Sequence, residues 1–456
     1  MKTGHSLTQG SVGKVLLRFS LPFFLANLLQ ALYGAVDLLV VGLYCPAESV
    51  AAVSTGTQVT QIITSLLSGL TLGGTVLVAK YTGLGDTQRV ERAIGTTLTA
   101  FGVFSLVLSV VLGASVPGIL QLLQTPAASV EEAWQYVFIC CMGTFFLCEY
   151  NALSAVLRGY GDSLTPLLFV AVACVCNVVG DLVLVGVFHL GPAGTAFATV
   201  FSQGVSMVCA VVYLNSRNFL FRFSWKNLRV DRRLLKELVV LGVPVSLQEC
   251  MVRVSFLYLT SITNSFGVYA ASAVGIASKY DVFAMLPATS VSSALTALTA
   301  QNLAAGREER AGKFLRWGTE AAFACSLVFF AWAQLAPQTM IGLFSQDPQV
   351  IARGVPFFRS CSWDYLAVSF LFCYNGYLNG RERTLFTMAN SCSGALLIRV
   401  PLLLLLSHGG VRSLALYGLV SPFSSLVMLL VIWVYLVPLH RRRPRAQGRN
   451  LSPTNG

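Results

Sequence analysis

Two acids set in long apolar runs are the first residues in this sequence whose chemistry asks for an explanation. Asp37 and Asp181 each lie in such a run, and no Lys or Arg falls between Arg18 and Lys80 or between Arg158 and Arg217. A carboxyl group in an apolar medium without a basic neighbour holds either a proton or a cation. Asn177 precedes Asp181 by one helical turn, so a neutral oxygen lies on the same face as the carboxyl. Both acids are six or seven residues from one end of their run, about 10 Å at 1.5 Å per residue. They are therefore expected at matching depth, as one shared site. Glu149, nearer the opposite end of its run, is a secondary candidate.

The second half of the chain treats charge differently. Glu249, Arg253, Lys279, Asp281, Asp364 and Arg399 all fall inside apolar runs, three acids against three bases. Internal pairing is open to them, as are ion coupling and substrate contact; Glu249 and Arg253 are one turn apart. A third signal is a polar stripe at helical spacing. Ser54, Thr57, Gln58, Gln61, Thr64, Ser65, Ser68, Thr71 and Thr75 mark one run, and Thr289, Ser292, Ser293, Thr296 and Thr299 mark another. Such stripes avoid lipid and face a cavity or another helix. Their recurrence in both halves leads us to expect Gln58, Gln61, Thr64, Ser292, Ser293 and Thr296 to line a cavity.

The elements that carry these residues follow from composition. Of 456 residues, 55% are hydrophobic and 11% charged, with a mean hydropathy of +0.70. A soluble domain carries about 25% charged residues, so lipid is the expected outer solvent. Runs of about 20 apolar residues span a bilayer, and twelve are found, at approximately 15–44, 49–79, 92–116, 131–157, 164–188, 193–214, 235–263, 268–301, 314–336, 351–379, 385–406 and 413–438. Of 31 Lys+Arg, 25 lie in the termini and the loops on one side and three (Arg353, Arg359, Arg412) on the other. The positive-inside rule puts both termini in the cytoplasm of a multi-pass protein of the cell membrane. The net charge of +12 is thereby explained without nucleic acid. The twelve cysteines show no metal or disulfide spacing, the four histidines are isolated, and no Gly-Lys-Ser/Thr phosphate loop occurs. No metal, no cofactor and no enzymatic site are expected.

The two halves resemble each other. Ser20-Leu21-Pro22 leads through two runs to AKYTGLGD at 79–86, and Gly242-Val243-Pro244 leads through two more to AQNLAAGR at 300–307. Tyr150-Asn151 and Gly159 return as Tyr374-Asn375 and Gly380. The fold class expected is an all-α polytopic membrane protein: 12 transmembrane helices in two six-helix lobes related by a parallel internal repeat. The lobes are placed at 1–215 and 234–438, with a basic linker at 216–233 and a basic tail at 439–456.

With these pieces in order, the sequence resembles the multidrug and toxic compound extrusion (MATE) transporters, bacterial branch. The matching stretches are AVDLLVVG at 35–42, LRGYGDSLTP at 157–166, NVVGDLVLV at 177–185, TAQNLAAG at 299–306, GYLNGRERT at 376–384 and IRVP at 398–401. The resemblance implies export of organic cations or other amphipathic compounds against Na⁺ or H⁺, with Asp37, Asn177 and Asp181 as the coupling site. Some members carry a glutamate eight residues after the proline of the seventh span; Val252 stands there in this chain, which argues against that kind of cation site. Asp364 resembles an acid of the family's tenth span. The expected partners are the lipid bilayer, a small amphipathic substrate and the coupling ion, with the chain working as a monomer. A lipid or lipid-linked-intermediate flippase shares the repeat and is the alternative, kept open by Arg253, Lys279 and Arg399. A major-facilitator transporter is disfavoured because Gly85-Asp86 is not followed by Gly-Arg-Arg.

Overall fold

A computed structural model describes residues 7–123, 125–216 and 227–441. The basic tail beyond 441 and residues 217–226 of the basic linker lie outside them. Helices account for nearly all the described chain: α1 Val12–Tyr44, α2 Ala47–Leu84, α3 Thr87–Leu122, α4 Val130–Met142, α5 Thr144–Tyr160, α6 Leu164–Asp181, α7 Gly191–Ser216, α8 Arg232–Asn264, α9 Val268–Ala304, α10 Glu308–Leu335, α11 Pro337–Gly342, α12 Pro348–Cys361, α13 Trp363–Gly380, α14 Thr384–Ser393, α15 Val400–His408 and α16 Leu414–Arg441. Among the described residues, ten helices are long and apolar enough to cross a membrane. The pair α4–α5, bent by 43°, makes one more. The pair α12–α13, which carries Arg353 and Arg359, stands at the equivalent place in the second half and completes twelve spans.

Local chemistry sets the ends of these helices. Gly85 closes α2 in the left-handed region at φ 73, and Asp86 then caps α3 by accepting from the Arg89 N–H. Asp231 caps α8 and Asp347 caps α12 in the same way. Two expected spans prove to be broken, at Gly143 and at Ser362. Short π-helical turns at Leu182–Val187 and Gly394–Arg399 follow Asp181 and include Arg399, so each loosens the backbone beside an ionisable group.

The internal repeat is visible in hydrogen bonds and in close approaches. Thr75 donates to the Ala155 carbonyl at 3.3 Å, and Thr296 donates to the Gly376 carbonyl at 3.1 Å. Gly159 lies flat on Thr75, Val78 and Ala79, and Gly380 lies flat on Thr296, Thr299 and Ala300. In each lobe the helix that carries this glycine can approach so closely only because no Cβ intervenes.

Among the described residues, the close contacts between the lobes gather toward one end. Ser246 of α8 donates to the Leu66 carbonyl of α2 at 2.6 Å, and Asn27 of α1 donates to Ser290 of α9 at 3.2 Å. Gly69 and Gly73 of α2 abut Ser246 and Gly242 of α8, and Gly83 abuts the Gln301 carbonyl. At the same end Lys80 bridges Glu237 at 3.2 Å and Glu382 at 2.9 Å. The N-terminal residues Leu7 to Gly10 are strapped to the second lobe by Gln301, Asn302, Arg307 and Arg310. Toward the other end the facing surfaces separate: Gln58, Gln61 and Ile62 of α2 and Arg253 of α8 are exposed, and Gly275 of α9 faces open space. The result is a cleft, closed at the end that carries the termini.

Candidate functional site

The first-lobe acids come together as their matching depth implies. Asp37 on α1 and Asp181 at the end of α6 face each other within hydrogen-bonding reach, with Asn177 and Thr199 beside Asp37 and Thr195 beside Asp181. Thr199 Oγ1 donates to Asp37 Oδ2 at 3.5 Å and accepts from Asn177 Nδ2 at 3.5 Å. The cluster is sealed from solvent: Asp37 is 4% exposed, and Asn177, Asp181 and Thr195 are 0% exposed. Asp37 Oδ1, Asn177 Oδ1, both Asp181 oxygens and Thr195 Oγ1 make no hydrogen bond among the described residues.

That set of oxygens defines the chemistry open to the site. Ionised carboxylates only accept hydrogen bonds, so Asp37 and Asp181 cannot satisfy each other while both are charged. Two carboxylates this close and this buried require a proton between them or a cation held by both. A hard monovalent ion would find carboxylate, amide and hydroxyl oxygens here, and no basic side chain to compete with it.

Sequence reasoning missed Thr195, Thr199 and Tyr33. Tyr33 lies one turn before Asp37, with its hydroxyl 3.5 Å from Ser202 Oγ. The missed signal was the spacing of Thr195, Thr199, Ser202 and Ser206, a hydroxyl stripe on α7. Glu149 is not part of this site; its carboxylate faces Gly102 on α3.

The second lobe holds a different arrangement. Tyr365 donates to Asp281 at 2.9 Å. Arg399 donates to Ser255 at 2.9 Å and lies over the Phe256 ring at 4.3 Å. Asp364 is 3% exposed and sits in the field of Arg399 and within hydrogen-bonding reach of Ser425. Asp281 and Asp364 line a cavity of about 20 Å³ with Phe256, Leu259, Cys361 and Ser421. That volume holds about one water. Neither Glu249–Arg253 nor Asp364–Arg399 closes to an ion pair within 4 Å among the described residues. The structural salt bridges considered from sequence are therefore not formed in this conformation.

The polar stripes divide between two surroundings. Gln58, Gln61 and Thr64 of α2 are exposed. Thr296 differs: it is 2% exposed and bonds Gly376, so it packs α9 against α13 inside the second lobe. Ser292 also lies against Gly376, while Ser293 is half-buried and bonds the Thr289 carbonyl. A stripe of small hydroxyls fits a tight helix crossing as well as a cavity, and here the crossing took Ser292 and Thr296.

Two six-helix lobes around a cleft, with unbalanced acids buried in one lobe, define a multi-pass membrane transporter. The MatE family model matches residues 22–183 and again 244–405, one copy per lobe, and the chain belongs to that family of multidrug efflux transporters. Among its relatives, the probable multidrug resistance protein YpnP of Bacillus subtilis is 29% identical over 408 residues, 88% of this chain and 90% of that protein. The multidrug export protein MepA of Staphylococcus haemolyticus is 20% identical, over 94% of this chain and 93% of that protein. The crystal structure of MATE in the bent conformation has a TM-score of 0.89 at 20% identity, covering 97% of this chain and 99% of that one.

Proposed function

We propose that this chain is a secondary active exporter of amphipathic or cationic organic compounds, driven by inward Na⁺ or H⁺ through alternating access. The observation that carries the coupling is the first-lobe cluster, where Asp37, Asn177, Asp181 and Thr195 converge five buried oxygens that make no hydrogen bond among the described residues. The cleft supplies the pathway, and the lobe contact gathered toward one end supplies one of the two states that alternation requires. The excess of basic residues at the closed end supports a cytoplasmic location for that end and both termini, in a protein of the cell membrane. On that orientation the cleft opens outward. Each lobe pair is complete within one chain, which supports function as a monomer.

The test is efflux from proteoliposomes under Na⁺ and pH gradients imposed separately, with Asp37→Asn and Asp181→Asn alongside. Each variant is expected to lose at least tenfold of gradient-driven efflux while keeping insertion and melting temperature. Full gradient-driven transport in both variants would refute the coupling site. Transport responsive to neither gradient would refute the antiport mechanism.

A further inference from the structure

Two exposed cations, Arg253 and Lys279, stand apart from the acids buried in the two lobes. In an α-helix, residues seven or eleven apart return to nearly the same face. Arg253 is seven residues from Ser246 and eleven from Gly242, two of the α8 residues that touch the first lobe. Lys279 is eleven residues from Ser290, the α9 residue that touches Asn27 of the first lobe. Both cations therefore point toward the first lobe, beyond the level at which the lobes touch, and both are exposed. Their depths agree as well. Arg253 is eleven residues before Asn264, the open end of α8, and Lys279 is eleven after Val268, the open end of α9. That is about 16 Å into the cleft for each.

The acids do not balance them. Asp281 is two residues from Lys279, so it projects from the opposite side of α9, where it accepts from Tyr365. Asp37, Asp181 and Asp364 are buried within their lobes. Glu249, one turn from Arg253 and half-buried, is the acid that shares this face, and it feels the charge of Arg253 without closing to 4 Å. Neither Arg253 nor Lys279 forms an ion pair among the described residues. Across from them α2 offers Gln58, which is neutral, and Ile62, which is 53% exposed; Phe283, on the Lys279 face of α9, is 38% exposed. The cleft thus presents two cations at one level, one partly shielded acid, and apolar side chains above and below.

We propose that the exported compound is an amphipathic organic acid, whose carboxylate, sulfonate or phosphate is held between Arg253 and Lys279 while its apolar body lies along Ile62 and Phe283. This narrows the exporter reading given above and rests on it. Arg253 brings a planar fork that matches an oxyanion, and Lys279 brings a compact charge. Low-dielectric walls strengthen both, and they repel an organic cation at the same level. A lipid phosphate has the same headgroup chemistry, so the source of the acid has to be separated experimentally.

Sulforhodamine B and rhodamine 6G share a xanthene ring and carry opposite headgroup charge. Their binding to the purified full chain, in a neutral maltoside detergent, is read by fluorescence anisotropy. The wild-type protein is expected to bind the sulfonated dye at least tenfold more tightly. Arg253→Gln with Lys279→Gln should erase that preference, whereas Arg253→Lys with Lys279→Arg should keep it, which separates lost charge from lost folding. A wild-type preference for rhodamine 6G, or a preference unchanged in the double Gln variant, would overturn the assignment. In nanodiscs the sulfonated dye should keep its affinity when phosphatidylglycerol is added; displacement by that lipid would transfer the site to a lipid headgroup and also overturn it. Gradient-driven efflux is scored separately in proteoliposomes. Charge-selective binding without coupled efflux would refute the exporter and leave the anion site standing, and coupled efflux of rhodamine 6G alone would do the reverse.

Discussion

Gly69 is the position at which one added carbon tests whether the lobe contact is a closed gate. A Cβ there would lie 2.1 Å from the backbone nitrogen of Ser246 and 2.5 Å from its Cα, in the opposite lobe. Backbone atoms cannot rotate away, so either the helices deform or the lobes part. Overpacking of this kind costs about 1–3 kcal/mol. If the closed state bears that cost and the parted state does not, the balance between them moves about 5- to 150-fold toward parting. Gly118 is the control, because a Cβ there meets no heavy atom within 4 Å. Alanine at Gly118 should only stiffen α3, by about 0.5–1 kcal/mol. The assay is double electron–electron resonance on a chain cleared of its twelve native cysteines, with spin labels at Gln88 and Glu309 near the contact and at Glu48 and Asn264 near the open end. Gly69→Ala should lengthen the first distance, shorten the second, and abolish efflux at an unchanged melting temperature. Unaltered distances with full transport would show that the Gly69–Ser246 contact is not a gate. A lowered melting temperature without a distance change would assign it to static packing.

The remaining expectations concern the same surfaces. Lys80→Gln removes two half-exposed ion pairs worth about 0.2–1 kcal/mol each, so it should move the resonance distances in the same direction as Gly69→Ala but less; high salt should imitate it in the wild type. No movement in either condition would mean that Lys80 does not hold the lobes together. Gln61→Trp places bulk on an exposed cleft position and should block efflux without lowering the melting temperature; a large drop in melting would refute a cleft-lining role. Thr296→Val breaks the hydrogen bond to Gly376 and should destabilise by about 1 kcal/mol while leaving efflux intact. Lost efflux at full stability would return Thr296 to the transport path.

How much could be read beforehand depended on the range over which each signal acts. Twelve spans, the repeat and the pairing of Asp37 with Asp181 were legible, because hydropathy over about 20 residues and distance along a helix are one-dimensional quantities. The breaks at Gly143 and Ser362 were not, since apolar residues continue through both and hydropathy is blind to a 43° bend. Helix ends also ran past the apolar stretches: α2 continues to Leu84 and α10 begins at Glu308, because helix formation outlasts membrane burial in water. The polar stripes were found but only half placed. Periodicity shows that Gln58 and Thr296 lie on polar faces, but not which neighbour each face meets. Thr195 and Thr199 were passed over because an uncharged hydroxyl in an apolar helix ordinarily signals packing; only the fold brings α7 beside Asp37.

The two lobes bury acids in ways that suit different tasks, and helix α1 shows why. Near the closed end its Leu16, Phe19 and Phe23 pack with Ala288, Val291 and Leu295 of α9 and with Phe314 of α10, in the core of the second lobe. Farther along, the same helix carries Asp37 into the core of the first lobe, against Asn177 and Asp181 of α6 and Thr199 of α7. Pro22, just before Phe23 in the segment packed on the second lobe, has no N–H to bond the Arg18 carbonyl, so the backbone ladder is weakened there, ahead of the stretch that runs on to Asp37. Under the proposed coupling, a proton or cation taken up at Asp37 would change what holds the far half of α1 in place, and that change would reach the second lobe through a continuous helix. Asp364 and Arg399 have no such route: α13 and the π-turn at Gly394–Arg399 belong to the second lobe at both ends. Under the coupling proposed here, an ion bound in the first lobe therefore acts on the relation between lobes, while the second-lobe charges shape what the cleft accepts.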